Sequence, residues 1–351
     1  MALVGLEGLE GLEGLEGLEG LEGLEGLEGL EARRRRGPSA ALLRAADALM
    51  GDAASLEARV PPEPDEDETT RLATLAARHR AAAMLFELSG ALGVTVDGGR
   101  ASAFVRAEGG DHEIAALVRP GAAHLAAAAD MVRDYADLRS ERMAEISAQI
   151  GGVLRFFGLA AFLDSARCPR TLEMLSLAVA ATGQVAQRIK LGLGVPRAVT
   201  LSPRLMPVIA TPTHGSYPSG HATQSFVVAR LLAALGAADG DVLDAIAARI
   251  AVNRTVAGVH YPVDSAAGAL LGTALADALA AMGTGGALDA ARVFDGGAWQ
   301  PEGAEPDRGD WHAAEHAALM DATAPSGARG DAPDLPLWRW LWEAAQAEWR
   351  S

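Results

Sequence analysis

Thirty residues of the chain are basic, and Lys190 is the one lysine among them. An ammonium is a compact point charge, whereas a guanidinium is a flat fork. A chain that uses arginine everywhere else and lysine here points to a place where the flat group does not fit. Six residues separate Lys190 from Arg197, and Pro218-Ser219-Gly220-His221 and then Arg254, His260 and Asp264 follow. A tetrahedral oxyanion needs positive charge on several sides and backbone donors on one. Lys190, Arg197 and Arg254 supply cations, Ser219 a hydroxyl, and Gly220 an N–H that no Cβ obstructs. Ser219 stands just before an expected helix, whose N-terminus adds partial positive charge. Taken singly, each arginine reads as a surface ion pair and each histidine as a buried core residue. Their joint spacing favours an anion site.

These three segments resemble the signature of the superfamily that unites type-2 phosphatidic-acid phosphatases, bacterial class A acid phosphatases and vanadium-dependent haloperoxidases. Its pattern is K-x6-RP, then PSGH, then SR-x5-H-x3-D. Every charged or catalytic position is filled, by Lys190, Arg197, Ser219, Gly220, His221, Arg254, His260 and Asp264. Two positions depart from it. Ala198 replaces the usual proline and Asn253 the usual serine, and neither supplies a ligand or a proton.

The resemblance implies an all-α helical bundle of the acid phosphatase/haloperoxidase type, with its site at helix ends and loops. It also implies roles. His260 is the nucleophile that forms a phosphohistidine, Asp264 holds its other ring nitrogen, and His221 is the general acid and then the base. Lys190, Arg197, Ser219, Gly220 and Arg254 bind the phosphate, while Tyr217 and Tyr261 wall the pocket. The phosphatase reaction needs no metal or cofactor. His214, five residues before Ser219, keeps a second reading open. In vanadium haloperoxidases an aromatic residue or histidine stands at this offset, and the same cradle would hold vanadate with His260 as its ligand. The sequences around Tyr217-Pro218 and His260-Tyr261 look more like the phosphatase branches. A catalytically silent anion-binding protein is the third reading.

The elements that must position these residues are helical by periodicity. Helices are expected over 69–92, 122–142, 144–163, 169–190, 221–235, 242–256 and 264–282, with a Gly- and Pro-rich loop from Lys190 to Gly220. The segment 93–110 carries β-branched residues, Gly and Asp, and reads as an excursion or short hairpin. Three regions result: 1–37, a Gly-Leu-Glu repeat and arginine run expected to be disordered; 38–283, the catalytic domain; and 284–351, which holds all six tryptophans. That last region is expected to dock on the domain or across a dimer interface.

Composition narrows the partners. Half the residues are apolar, so a sizeable core is possible. The formal charge of −16 argues against nucleic acid as a partner, although the repeat contributes nine of the glutamates. The expected partner is a small phosphorylated substrate. Cys168 stands alone, which leaves no internal disulfide. No apolar stretch of spanning length free of charges or polar breaks is evident, and no export signal is recognisable, so the expectation is a soluble, cytoplasmic protein. His312 and His316, four residues apart, read as a surface helix face.

Overall fold

The computed structural model describes residues 67–299, 313–325 and 327–350. The Gly-Leu-Glu repeat, the arginine run, Trp311 and His312 lie outside them.

Four helices form the centre: α6 (Pro169–Leu193), α8 (Gly220–Ala234), α9 (Gly240–Val256) and α10 (Pro262–Thr284). Each start has a chemical cause. Pro169 and Pro262 stand at first helical positions, where the missing N–H costs nothing. Ser219 caps α8 by accepting from the Ala222 N–H at 3.4 Å, and Asp239 caps α9 by accepting from Asp241 and Val242. Two of the ends are glycines in the left-handed region, Gly194 after α6 and Gly285 after α10.

Helices α8 and α10 approach closely because α10 presents Gly268 and Gly272 one turn apart. A Cβ at Gly268 would stand 2.6 Å from the Ser219 carbonyl oxygen, and one at Gly272 would strike the Thr223 carbonyl. The backbone of the Pro218-Ser219-Gly220-His221 turn thus rests directly on α10. Helix α10 is also the one described helix long and apolar enough to cross a membrane, but 89% of its apolar window is buried inside the protein. It is apolar on every side because it is the core helix.

Around this centre lie α1 (Glu68–Thr74), α2 (Ala77–Ala91), α3 (Ala122–Asp134), α4 (Arg139–Ile150), α5 (Leu154–Ala161) and the single turn α7 (Ala198–Leu201). Three expected helices are each broken in two. The first is interrupted after Thr74, with Leu75 extended; the second passes through a 3-10 turn at Tyr135–Leu138; the third stops at Gly151 and Gly152, the latter with φ of 105°.

The all-α expectation is corrected by a sheet. Strands β1 (Leu92–Asp97), β2 (Arg100–Ala107) and β3 (Gly110–Val118) form an antiparallel meander, and after the two-residue β4 (Ala287–Leu288), β5 (Arg292–Asp295) pairs parallel to β3. The turns are Gly pairs, with Gly98, Gly99 and Gly110 at positive φ. Alanine in the middle of β2 and β3 hides the strand signal, since alanine favours helix. The partner of β3 also lies far along the chain, beyond any local pattern. The sheet packs on α6 through β1 and β2 and on α10 through β3.

Residues beyond 284 join this body. After α11 (Ala313–Ala322) and β6 (Gly330–Asp331), which pairs with β4, comes α12 (Pro336–Ala347). Helix α12 packs on α2, α6 and α10. Trp338 donates its indole N–H to the Leu279 carbonyl at 2.8 Å. Glu87 accepts the first N–H groups of α12, from Leu337 and Trp338. Glu348 does the same for α6, at Arg170 and Thr171. His316 is buried, its ring 4.1 Å from that of Phe226, so its expected place on a surface face is corrected.

Candidate active site

Four chain segments meet at the ends of the central helices. Lys190 comes from the last turn of α6 and Arg197 from the residue before α7. His221 sits in the first turn of α8, which Ser219 caps. Arg254 occupies the last turn of α9, and His260 and Asp264 bracket the start of α10. All are buried.

Asp264 organises the cluster. Its Oδ2 accepts from His260 Nδ1 at 2.9 Å, from the Tyr261 N–H at 3.0 Å and from the Ser216 hydroxyl in a short bond. Its main-chain carbonyl accepts the Ser219 N–H at 2.9 Å, which ties the second motif to the third. Ser216 is absent from the sequence-derived set, because nothing in its spacing marks it.

Arg197 fixes the other side of His260. Its Nη1 lies 3.1 Å from His260 Nε2 and 2.7 Å from the Val259 carbonyl oxygen. A guanidinium donates and never accepts. Nε2 must therefore be the unprotonated nitrogen, and Nδ1 carries the hydrogen that faces Asp264. Burial first, and then the charges of Arg197, Lys190, Arg254 and His221, hold the His260 imidazole well below its ordinary pKa. Burial raises the Asp264 carboxyl above the usual carboxylate range, and the Ser216 and Tyr261 donors oppose that rise.

Lys190 Nζ donates to the carbonyls of Gly215 and Ser216 at 3.2 and 3.3 Å. Gly215 is required here, because a Cβ would stand 2.9 Å from the Lys190 carbonyl oxygen. Gly220 is the first residue of α8, so its N–H has no acceptor within the helix. His221 Nε2 donates to the Gln149 carbonyl at 3.2 Å, which places a hydrogen on Nε2. Gln149 lies 72 residues away, with no signal linking it to the motif.

His214 is placed beside Arg197. Its Nδ1 lies 3.1 Å from Arg197 Nη2 and 3.0 Å from the Gly215 carbonyl oxygen. It can accept from the first or donate to the second, one at a time.

The two tyrosines differ. Tyr217 is fully buried and donates its hydroxyl to the Val118 carbonyl at 3.0 Å, at the end of β3. It anchors the loop to the sheet. The Tyr261 hydroxyl is buried and has no hydrogen-bond partner among the described residues.

Both departures from the motif have a local explanation. Ala198 is the first residue of α7, a position where proline and alanine are both accommodated. Asn253 faces α4: its amide donates to Glu145 at 2.9 Å, and its oxygen accepts from Arg142 at 3.3 Å.

Residues 172–284 match the model of the PAP2 superfamily, a stretch that includes every motif residue from Lys190 to Asp264. The match agrees with the resemblance of these segments to the superfamily of type-2 phosphatidic-acid phosphatases and haloperoxidases. The match supports an enzyme of the phosphatase or phosphoesterase type in the broad sense. No curated protein gives a significant match to the chain.

Proposed function

We propose that the protein hydrolyses phosphomonoesters through a phosphohistidine at His260. The observation that carries this reading is the hydrogen-bonded line Asp264–His260–Arg197. It fixes the imidazole tautomer with an unprotonated Nε2 directed at a cation.

In this reading, a phosphoryl oxygen takes over the Arg197 donor that now faces Nε2. Lys190, Arg254, the Ser219 hydroxyl and the Gly220 N–H hold the other oxygens. Nε2 attacks phosphorus, a P–N bond forms and the P–O ester bond breaks. The departing alkoxide takes a proton from His221. The Nδ1 proton stays on His260, where the Asp264 carboxylate stabilises the positive charge that develops on the ring. In the second step His221 removes a proton from water, the oxygen attacks phosphorus, the P–N bond breaks and phosphate leaves. The buried Tyr261 hydroxyl is a further donor for a phosphoryl oxygen.

A second reading, vanadium-dependent haloperoxidase, draws on the contact between His214 and Arg197. Vanadate shares the charge and shape of phosphate, so the residues fit it. Lys190, Arg197, Ser219, Gly220 and Arg254 would hold its oxygens, with His260 as its protein ligand. When bound, it supplies peroxide activation for halide oxidation.

Hydrolysis of phenyl phosphate with and without orthovanadate, beside a bromide-plus-peroxide assay on vanadate-loaded protein, separates the two. Phosphate release inhibited by vanadate, and lost in a folded His260→Ala variant, is the expected result. Activity in that variant overturns the phosphohistidine.

A further inference from the structure

Ser216 ties the parts of the site together, although none of the three motifs contains it. The residue is fully buried. Its N–H donates at 2.8 Å to the carbonyl of Val195, which lies between Lys190 and Arg197 in the chain. Its own carbonyl accepts from Lys190 Nζ at 3.3 Å. Its hydroxyl donates to Asp264 Oδ2. Two residues further on, the Pro218-Ser219-Gly220-His221 turn begins. Main-chain contacts to the first motif therefore hold the residue in place, and its side chain is aimed at the third.

The Asp264 carboxylate is loaded unevenly. Oδ2 takes three donors, from His260 Nδ1, the Tyr261 N–H and the Ser216 hydroxyl. Oδ1 is buried and has no hydrogen-bond partner among the described residues. A buried carboxylate stays charged only while donors and cations surround it. The Tyr261 donor is backbone and the His260 donor is the reacting ring. Ser216 is the one of the three whose loss leaves both in place.

The charged and titratable neighbours act on the two members of the pair in opposite senses. Burial pushes the Asp264 carboxyl up, and the Ser216 hydroxyl opposes that rise most, ahead of the Tyr261 N–H, Lys190 and Arg197. Burial pushes the His260 ring down, and Arg197, Lys190, Arg254 and His221 add to that. The phenols of Tyr217 and Tyr261 face the same carboxylate and are held neutral by burial. One proton taken from acid solution disables the pair wherever it settles. On the ring it blocks Nε2, and on the carboxyl it removes the charge that supports the imidazolium formed on attack.

We propose that Ser216 is a positioning residue whose hydroxyl keeps Asp264 charged and facing His260 Nδ1, and so sets how acidic a solution the site tolerates. This rests on the phosphohistidine reading and adds to it a determinant of its acid limit that lies outside the motifs.

The test is the pH profile of kcat/KM for 4-nitrophenyl phosphate, corrected for substrate ionisation, in the unaltered protein, Ser216→Ala and Ser216→Cys. Loss of a hydrogen bond to a charged group should move the acid limb of Ser216→Ala to higher pH by about one to two units. Ser216→Cys keeps the shape and a weak donor, so its limb should move the same way by less. It also supplies the measurement if the alanine variant does not fold. A fall in kcat at every pH with the limb unmoved is the mark of a packing role and overturns the proposal.

Proton uptake by the pair is read without catalysis from the 15N resonances of the His260 ring, assigned by their loss in His260→Gln. If no ester is hydrolysed but this titration moves to higher pH in the Ser216 variants, the inference stands and the hydrolase reading falls. If esters are hydrolysed and the titration is the same with and without the hydroxyl, the inference falls and the hydrolase reading stands.

Discussion

Arg197 and His260 share a hydrogen bond of 3.1 Å whose direction chemistry dictates: Nη1 donates and Nε2 accepts. The same guanidinium reaches the main-chain carbonyls of His214 and Val259. One side chain therefore sets the tautomer of His260 and joins the first motif to the third. Arg197→Lys keeps the charge but cannot make four directed contacts. It should lower kcat on phenyl phosphate by about 10²–10³-fold, the effect of losing a preorganised donor. Steady-state kinetics, with circular dichroism as the folding control, checks this.

Asp264→Ala removes the acceptor that holds the Nδ1 proton. Without it the ring can adopt the other tautomer, with Nε2 protonated and unable to attack. A loss in kcat on the order of 10³–10⁴-fold is expected, by analogy with the loss of the carboxylate in a serine-protease triad. Ser216→Ala removes one donor to the same oxygen and should cost far less. Equal losses in the two variants would count against the orienting role of the carboxylate.

The depressed pKa of His260 predicts a pH profile. The group is neutral in the fold at pH values where an ordinary imidazole, near 6.5, is already charged. For 4-nitrophenyl phosphate, whose leaving group needs little protonation, kcat/KM corrected for substrate ionisation should persist below that value. A nucleophile limb centred at an ordinary imidazole pKa would contradict the electrostatics described.

Stability should show a separate acid limb. Glu145 is pulled from 4.5 to about 2, chiefly by its hydrogen bond from Arg249. The unfolded chain thus takes up this proton first as pH falls. Stability from Glu145 is complete above 4.5 and is lost as pH drops towards about 2. Urea midpoints measured between pH 5 and 3 should fall less steeply in Glu145→Gln than in the unaltered protein.

Gly268→Ala tests the helix contact beneath the site. The added methyl meets the Ser219 carbonyl at 2.6 Å, so α8 and α10 must separate. A loss of about 1–3 kcal/mol in denaturant unfolding is expected, the usual cost of overpacking. Turnover should fall with it, because Ser219 and Gly220 move with that backbone.

The eight motif positions were legible in the sequence because their chemistry is unusual: a single lysine, two histidines and a carboxylate four residues after one of them. The central helices were legible as well, since α6, α8, α9 and α10 carry local caps and long apolar runs. The sheet was not, because its strands are alanine-rich and its fourth member comes from residues 292–295. Ser216, Gln149 and the tie of Tyr217 to the sheet were hidden for a related reason. Each acts through a contact with a residue distant in the chain, Asp264, His221 and Val118 respectively.

The sequence by itself determined which groups are present and in what order, since charge, nucleophilicity and helix capping are properties of residues and their near neighbours. Tertiary structure alone decided that Arg197 faces His260, that Tyr217 is tied to the sheet at Val118, and that the Gln149 carbonyl meets His221. Those facts depend on distances between segments, which arise when the helices pack and water leaves the space between them.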